Sequence, residues 1–280
     1  MPFRHILGHR RLVALLSRAV ERGSLPPSLI FAGPSGVGKR LAALATAQAL
    51  NCLALRSSTD LGVDACGECS ACTRIARGVH PDVLVIEPGD NGSIKIDAVR
   101  DIVDRAAYRP FEGRRRAVII DQADALVPVA QNGLLKTLEE PPPASVFMLV
   151  TSRPGVLLDT VRSRCPQLRF RPLGPDDVAA ALIGIGQSEG IARATAAIAG
   201  GSIGQAFEAS RGDLVQARDA ASRALVAAAA SDDPGRRVES AKHLLVKTGG
   251  GGASDREQLA THLRAMASLV RDVELIAVGA

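Results

Sequence analysis

Aromatic side chains are scarce in this sequence of 280 residues: Trp is absent, Tyr occurs once, and aromatic residues make up 2%. Proteins that bind single-stranded nucleic acid often stack its bases on aromatic side chains, so we do not expect that mode of binding here. Apolar runs of membrane-spanning length are also lacking, and the first residues do not resemble a secretory signal. These absences predict a cytoplasmic protein with no membrane partner.

The residues that are present suit a globular protein of two or three small domains. Hydrophobic residues make up 46% of the chain, which is enough to build a sizeable core. The net charge of +5 and the isoelectric point near 9.2 are mildly basic. This charge permits a nucleic-acid neighbour without requiring one.

A glycine-rich stretch at residues 33–40 predicts a phosphate-binding loop, because it lies between an apolar run and a helical run. Glycines let backbone N–H groups converge on phosphate oxygens, and the lysine of the pattern G-x-x-x-x-G-K reaches the outer phosphates. The alternative is a glycine-rich turn before an ordinary helix. The candidate nucleotide-binding residues are Gly33, Pro34, Ser35, Gly36, Val37, Gly38, Lys39 and Arg40.

Arg40 departs from the phosphate-loop pattern, which has Ser or Thr after the lysine as a ligand of Mg²⁺. Two outcomes stay open: ATP or ADP held without cleavage, with Arg40 pairing with a phosphate, or an empty site. Asp121 follows the apolar run at residues 117–120 and is placed to face the metal of a bound nucleotide. Its neighbour Gln122 can position a water molecule but cannot accept a proton from it.

Four of the five cysteines have the spacing of a structural Zn²⁺ site. Cysteines separated by two residues can bend onto one ion, and a thiolate from upstream can complete a tetrahedron. Four sulfur ligands leave no open coordination position, which favours a structural metal over a catalytic one. The alternative is a set of buried, unliganded thiols in a segment, residues 52–79, that is predicted to be irregular. The predicted ligands are Cys52, Cys66, Cys69 and Cys72.

Strands and helices alternate through the first part of the chain, which predicts an α/β fold built on a mainly parallel sheet. From Leu173 onward the pattern changes to successive helices. The basic run Arg114, Arg115 and Arg116 is compatible with DNA phosphate contacts, but a solvated loop is favoured. The candidate strands are residues 29–32, 83–87, 117–120, 146–150 and 168–170.

Three short motifs resemble bacterial clamp-loader subunits, which are AAA+ proteins. They are residues 132–142 (Asn-Gly-Leu-Leu-Lys-Thr-Leu-Glu-Glu-Pro-Pro), His80-Pro81-Asp82 and Ser163-Arg164-Cys165. A four-cysteine zinc module after the P-loop helix resembles the same family. The resemblance implies an AAA+ P-loop domain at residues 1–170 with the zinc module at about 52–79, a small helical lid domain at 171–210 and an all-α collar domain at 211–280.

Within that family the chain resembles the delta prime subunit more than the gamma/tau subunits, which hydrolyse ATP. It departs from the active pattern at Arg40, at Gln122, at residues 151–153 in place of a sensor Asn, and at residues 201–204 in place of a second sensor's Arg. Each departure removes charge stabilisation that phosphoryl transfer needs, so we expect no ATP hydrolysis by the chain alone. The alternatives are an active gamma/tau-like AAA+ ATPase and, disfavoured by the missing aromatics, a zinc-dependent nucleic-acid-binding module.

The retained Ser-Arg-Cys motif implies a catalytic role toward a neighbouring subunit. In clamp loaders this arginine projects into the adjacent ATP site, and here it is Arg164, between Ser163 and Cys165. A guanidinium at the γ-phosphate stabilises transition-state charge; the alternative is a surface salt bridge. The resemblance further implies gamma/tau and delta subunits, the sliding clamp and, through the assembled DNA polymerase III holoenzyme, primed DNA as partners.

Overall fold

A computed structural model of the chain describes residues 1–58, 60–210 and 213–230, and then residues 233, 235, 237, 238, 244, 259, 262, 263, 265–267, 269, 270, 273, 274 and 277. The chain divides into two compact units, Met1–Asp177 with Gly201–Ile203, and Val178–Gly200 with Gly204–Ala280. Much of the predicted collar domain lies outside the described residues. The boundaries of a lid and a collar domain therefore stay predictions.

The central sheet of the first unit is parallel. The strands are β1 (Ser28–Ala32), β2 (Arg56–Ser58), β3 (Gly62–Asp64), β4 (Val83–Ile86), β5 (Arg116–Ile120), β6 (Ser145–Thr151) and β7 (Gln167–Arg169). Among the described residues, five of them form one sheet in the order β4–β5–β6–β1–β7, with parallel pairing throughout. The predicted parallel α/β sheet is confirmed.

The helices of the first unit pack on both faces of this sheet. Successive strand residues point to opposite faces, so Ile30 and Val118 join one buried cluster while Phe31 and Ile119 join the other. Strands buried on both faces read as continuous apolar runs, which is why the sequence pattern identifies them. The helices are α1 (Arg10–Glu21), α2 (Lys39–Asn51), α3 (Ser70–Ala76), α4 (Ile96–Ala107), α5 (Pro128–Glu139) and α6 (Asp159–Arg162).

Residues 52–79 contain regular structure, so the prediction of an irregular segment is wrong. Strands β2 and β3 form an antiparallel hairpin in which Arg56 lies opposite Asp64, and α3 follows it. Strands of three residues are too short to show the alternation of polar and apolar side chains that identifies a strand in a sequence. The hairpin is therefore visible only in the structure.

Successive helices follow Leu173, as the sequence predicts. In the second of them the buried side chains, among them Ala192 and Ala196, are small, which allows close packing. Within the described part of the chain, no helix combines the length and the hydropathy needed to cross a membrane. The helices are α7 (Pro175–Gly184), α8 (Glu189–Ile198), α9 (Ile203–Ser210) and α10 (Asp213–Ala229).

Candidate functional site

The carboxyl ends of four parallel strands bring the predicted nucleotide-site residues to one edge of the sheet. Strand β1 leads into the loop at residues 33–38, and β5 leads into Asp121. Strand β4, at the edge of the sheet, leads into Glu87, and β6 ends at Thr151. Ligands bind at such carboxyl edges in open parallel sheets, so the edge is the candidate site.

Lys39 begins α2 and is folded back onto its own loop. Its Nζ donates hydrogen bonds to the carbonyl oxygens of Gly33, at 2.7 Å, and Pro34, at 2.5 Å. Burial lowers the pKa of Lys39, while the nearby carboxylates of Asp121 and Asp124 oppose this shift. Gly33 is required by close packing, because a Cβ there would lie 2.2 Å from the carbonyl oxygen of Phe170.

Arg40 forms ion pairs with two carboxylates at the candidate site. Its Nη1 donates to Oδ2 of Asp121 at 2.9 Å, and its Nη2 contacts Oε1 of Glu87. Asp121 was predicted to face a nucleotide's metal, and in the structure it faces the guanidinium. Sequence reasoning missed Glu87, although it lies at the carboxyl end of a predicted strand, which is the signal that identified Asp121.

The two predicted sensor positions are engaged in structural contacts. Asp124 accepts hydrogen bonds from Oγ1 of Thr151, at 2.8 Å, and from Nε of Arg153, at 3.0 Å. Burial alone would raise the pKa of Asp124, but these donors outweigh it and lower the pKa. At the second position, a Cβ on Gly201 would lie 2.7 Å from backbone atoms of Leu173. A side chain such as Arg does not fit there without a backbone shift.

Arg164 follows α6 and keeps part of its side chain at the surface. Its Nη1 donates to the carbonyl oxygen of Thr160 at 2.8 Å, and its Nη2 pairs with Glu139 near the end of α5. About a third of the Arg164 side chain (32%) is exposed. Ser163 donates to the same carbonyl of Thr160 at 3.1 Å, whereas Cys165 is buried in the core, and burial raises the pKa of its thiol to about 11.

The four predicted zinc ligands converge. Their Sγ atoms all lie within 4.8 Å of one another, with 4.0 Å between Cys52 and Cys69 and between Cys66 and Cys72. A tetrahedral zinc ion with Zn–S bonds of about 2.3 Å places its sulfurs about 3.8 Å apart, so the cluster fits this metal. Burial would raise the pKa of Cys69, but backbone and side-chain hydrogen bonds outweigh it and lower the pKa to about 6.

Backbone N–H groups support the sulfurs, as a site for thiolates requires. The N–H of Cys66 donates to Sγ of Cys52 at 3.2 Å, and the N–H of Cys69 donates to Sγ of Cys66 at 3.3 Å. The cluster is joined to α2 through Gln48, which donates to the carbonyl oxygen of Cys72 at 2.8 Å. The four-cysteine cluster can therefore bind a metal such as zinc.

Asp82 holds the loop that precedes β5. It accepts hydrogen bonds from the backbone N–H groups of Phe111, Glu112 and Gly113 at 2.7–2.9 Å. Nη2 of Arg116 donates to it at 3.0 Å. Burial alone would raise the pKa of Asp82, but these donors lower it to about 2. Sequence reasoning saw Asp82 only as part of a family motif and did not assign it this role.

The basic run is a solvated loop only in part: Arg114 is exposed and Arg115 is half-buried in the loop, but Arg116 is buried at the start of β5. Arg116 is buried against Asp82, Arg114 donates to the carbonyl oxygen of Cys52, and Arg115 donates to that of Pro143 at 2.8 Å. Each guanidinium carries several N–H donors, which suits it to bind backbone carbonyls between elements. A run of charge alone does not reveal Cys52, Pro143 and Asp82 as partners, because each lies 28 or more residues away in the chain from the arginine that contacts it.

Comparison with protein families gives a match over residues 8–174, more than half of the chain, to a family described as DNA polymerase III, delta subunit. The chain is 35% identical over 203 residues to the DNA polymerase III subunit delta' of Bacillus subtilis, covering 72% of this chain and 59% of that protein. It is 39% identical over 155 residues to the subunit delta' of Pseudomonas aeruginosa, covering 55% and 46%.

A third relative is the DNA polymerase III subunit gamma/tau of Mycobacterium tuberculosis, with 33% identity over 189 residues, 68% of this chain and 32% of that protein. The matched region thus spans about a third to about three fifths of the length of these relatives. The family match over residues 8–174 contains the P-loop, the cysteine cluster and the segment with Arg164.

Proposed function

Because the chain belongs to the DNA polymerase III delta prime subunit family, which is related to the gamma/tau subunits, we propose that it is a stationary subunit of a bacterial clamp loader. In this role it does not hydrolyse ATP at its own P-loop, and it lends Arg164 to the ATP site of a neighbouring subunit. Its proposed partners are the gamma/tau and delta subunits, the sliding clamp and, within the assembled complex, primed DNA.

One contrast supports the proposal: Arg40 is paired with two carboxylates of the chain's own candidate site, Asp121 and Glu87, whereas Arg164 pairs with a single carboxylate, Glu139, away from that site. The chain's own site has neither a hydroxyl at position 40 nor a carboxylate at position 122. Phosphoryl transfer needs a metal ligand on the loop and a group that positions and deprotonates water. The equipment for cleavage is therefore incomplete at this edge.

The contacts of Arg164 suit a residue that exchanges partners. The pair with Glu139 is half exposed on the carboxylate side, and exposed ion pairs contribute about 0–1 kcal/mol. A triphosphate carries more negative charge than one carboxylate and accepts hydrogen bonds from the planar guanidinium in the same way. Thr160, whose carbonyl oxygen also holds Arg164, would keep the guanidinium in place during the exchange.

The experiment is an ATPase assay on the reconstituted complex. Arg164→Ala should lower turnover at the adjacent ATP site by roughly 10³-fold, since arginine fingers contribute about 10³ to 10⁵ in rate. The complex then loses that site's share of DNA-stimulated turnover while still assembling, as gel filtration would show. Arg162→Ala is the matched control, because Arg162 lies on α6, is exposed and pairs with Asp159. Unchanged turnover in an assembled Arg164→Ala complex contradicts the assignment.

The competing function, an active gamma/tau-like ATPase, predicts steady ATP hydrolysis by the isolated chain that Lys39→Ala abolishes. The proposed function predicts no such turnover.

For the cysteine cluster we propose a structural Zn²⁺, held by Cys52, Cys66, Cys69 and Cys72. Native mass spectrometry of the purified chain tests the zinc and any bound ATP or ADP together.

A further inference from the structure

Arg40 is the residue that follows the P-loop lysine. Its side chain contacts two carboxylates at the carboxyl edge of the sheet. Its Nη1 lies 2.9 Å from Oδ2 of Asp121, and its Nη2 contacts Oε1 of Glu87. The two acids follow β5 and β4, which are neighbours in the sheet. One guanidinium therefore ties the first turn of α2 to the ends of two strands.

We propose that Arg40 determines the cation specificity of this edge: its guanidinium takes the place of a divalent cation, so the edge does not accept Mg²⁺. The inference deepens the proposed function and rests on it in one respect, namely that this edge is not used for hydrolysis. The site differs from an active P-loop by more than the missing hydroxyl ligand at position 40. The protein supplies its own cation to the residues that would otherwise bind the metal.

The chemistry of the acids supports this replacement. Mg²⁺ binds through oxygen ligands, usually one or two carboxylates together with phosphate or water oxygens. Asp121 and Glu87 are ligands of this kind, but each directs an oxygen at the Arg40 guanidinium. Arginine stays protonated in proteins, so its charge is permanent. A metal ion entering here would have to displace a like charge that is covalently attached to α2.

Because Asp121 is buried, its ionised form depends on the ion pair with Arg40. Its side chain is 10% exposed, and a buried carboxylate needs a counter-charge or several hydrogen bonds. In the structure it has Arg40 and the backbone N–H of Gln122, which donates to Oδ1 at 3.0 Å. Without the guanidinium, two carboxylates would remain near each other beside the start of a helix. Such a pair favours recruitment of a cation from solution.

The test titrates the zinc-loaded full-length chain with Mn²⁺, a paramagnetic substitute for Mg²⁺, and counts bound ions by electron paramagnetic resonance. Arg40→Thr removes the guanidinium and introduces a hydroxyl in the first turn of α2. We expect it to bind one Mn²⁺ more than the wild-type chain, and a second change, Asp121→Asn, to abolish that gain. Saturating Mn²⁺ should raise the melting temperature of Arg40→Thr by roughly 4 °C without affecting the wild type.

Arg11→Thr is the matched control, because it makes the same substitution at an exposed arginine of α1; it should behave as the wild type. A folded Arg40→Thr chain that gains no Mn²⁺ would overturn the proposal. A wild-type chain that binds a Mn²⁺ which Asp121→Asn removes would overturn it equally, and this comparison needs no Arg40 variant to fold. The readout involves no partner subunit, so its failure is distinguishable from a failure of Arg164→Ala in the assembled complex.

Discussion

At its amino end, α2 presents Arg40 to the carboxylates of Asp121 and Glu87, whereas at its carboxyl end it leads into Cys52, one of four converging thiols. Both ends gather groups that bind cations. At the amino end the chain provides the positive charge itself, and at the carboxyl end it provides ligands that fit a metal ion. One helix of 13 residues thus separates the position where we propose that a guanidinium replaces a metal from a cysteine cluster that can bind one.

The difference follows from what each metal does. A structural Zn²⁺ stays bound, and its binding free energy contributes directly to folding, which suits a segment whose buried cluster consists of the cysteines and few other side chains. A catalytic Mg²⁺ arrives and leaves with a nucleotide, and it has no catalytic role at a site that, as we propose, does not cleave phosphates. A covalently attached guanidinium then stabilises the acidic edge permanently.

The largest effect is expected at the carboxyl end. Cys66→Ser should remove one zinc ligand, abolish stoichiometric zinc binding and destabilise the chain by at least about 3 kcal/mol, because structural zinc contributes about 10 kcal/mol or more in small zinc modules. Zinc content by mass spectrometry and unfolding in urea provide the measurements. Cys165→Ser is the control, since that buried thiol lies in the core outside the cluster and should leave the zinc content at one. Full zinc occupancy in Cys66→Ser would contradict the metal assignment.

A second, smaller effect is expected from the loop packed against that end of α2. Asn51 accepts a hydrogen bond from the N–H of Arg115 at 3.0 Å, in the loop that Asp82 holds. Asp82→Asn should lower the free energy of unfolding, measured in urea, by about 2 kcal/mol. The amide turns N–H groups toward backbone donors, and it loses the negative charge that pairs with Arg116. Asp97→Asn, at an exposed position of α4, is the matched control.

The pH dependence of this effect has a defined sign. The pKa of Asp82 is lowered to about 2 in the folded chain, so its ionised form is favoured by folding. This contribution is present above the ordinary carboxyl pKa near 4 and is lost as the pH falls from there through about 2. The stability difference between wild type and Asp82→Asn should therefore be constant at neutral pH and shrink below about pH 4. A difference that stays constant to pH 2 would show that Asp82 does not act through its charge.

The parts of the molecule that could be predicted are those with a local signal. Apolar runs such as residues 117–120 mark strands buried on both faces, and the spacing of Cys66, Cys69 and Cys72 indicates one ligand cluster. The glycine pattern of the P-loop encodes the turn itself. In each case the residues that define the feature lie within a few positions of one another.

The rest depends on partners that are distant in the chain. Arg40 and Asp121 are 81 residues apart, and nothing near either of them indicates the other. The same holds for Arg164, whose partner Glu139 is 25 residues upstream. The sequence shows that a residue is arginine but not whether its guanidinium is solvated, buried against Asp82 or paired at a sheet edge. For this reason Arg116 was wrongly predicted to lie in a solvated loop.

The smallest effect is expected at the amino end, where Lys39→Met should cost about 1 kcal/mol of the free energy of unfolding. The hydrogen bonds that the structure describes for Nζ go to carbonyls of the loop itself, Gly33 and Pro34. Burial lowers the pKa of Lys39, so losing the charge relieves a desolvation cost that offsets part of the lost bonding. Urea unfolding, with Lys136→Met at an exposed position of α5 as control, measures the difference. If Lys39→Met instead destabilised the chain as much as Cys66→Ser, both ends of α2 would depend equally on a cationic centre, and the contrast between them would fail.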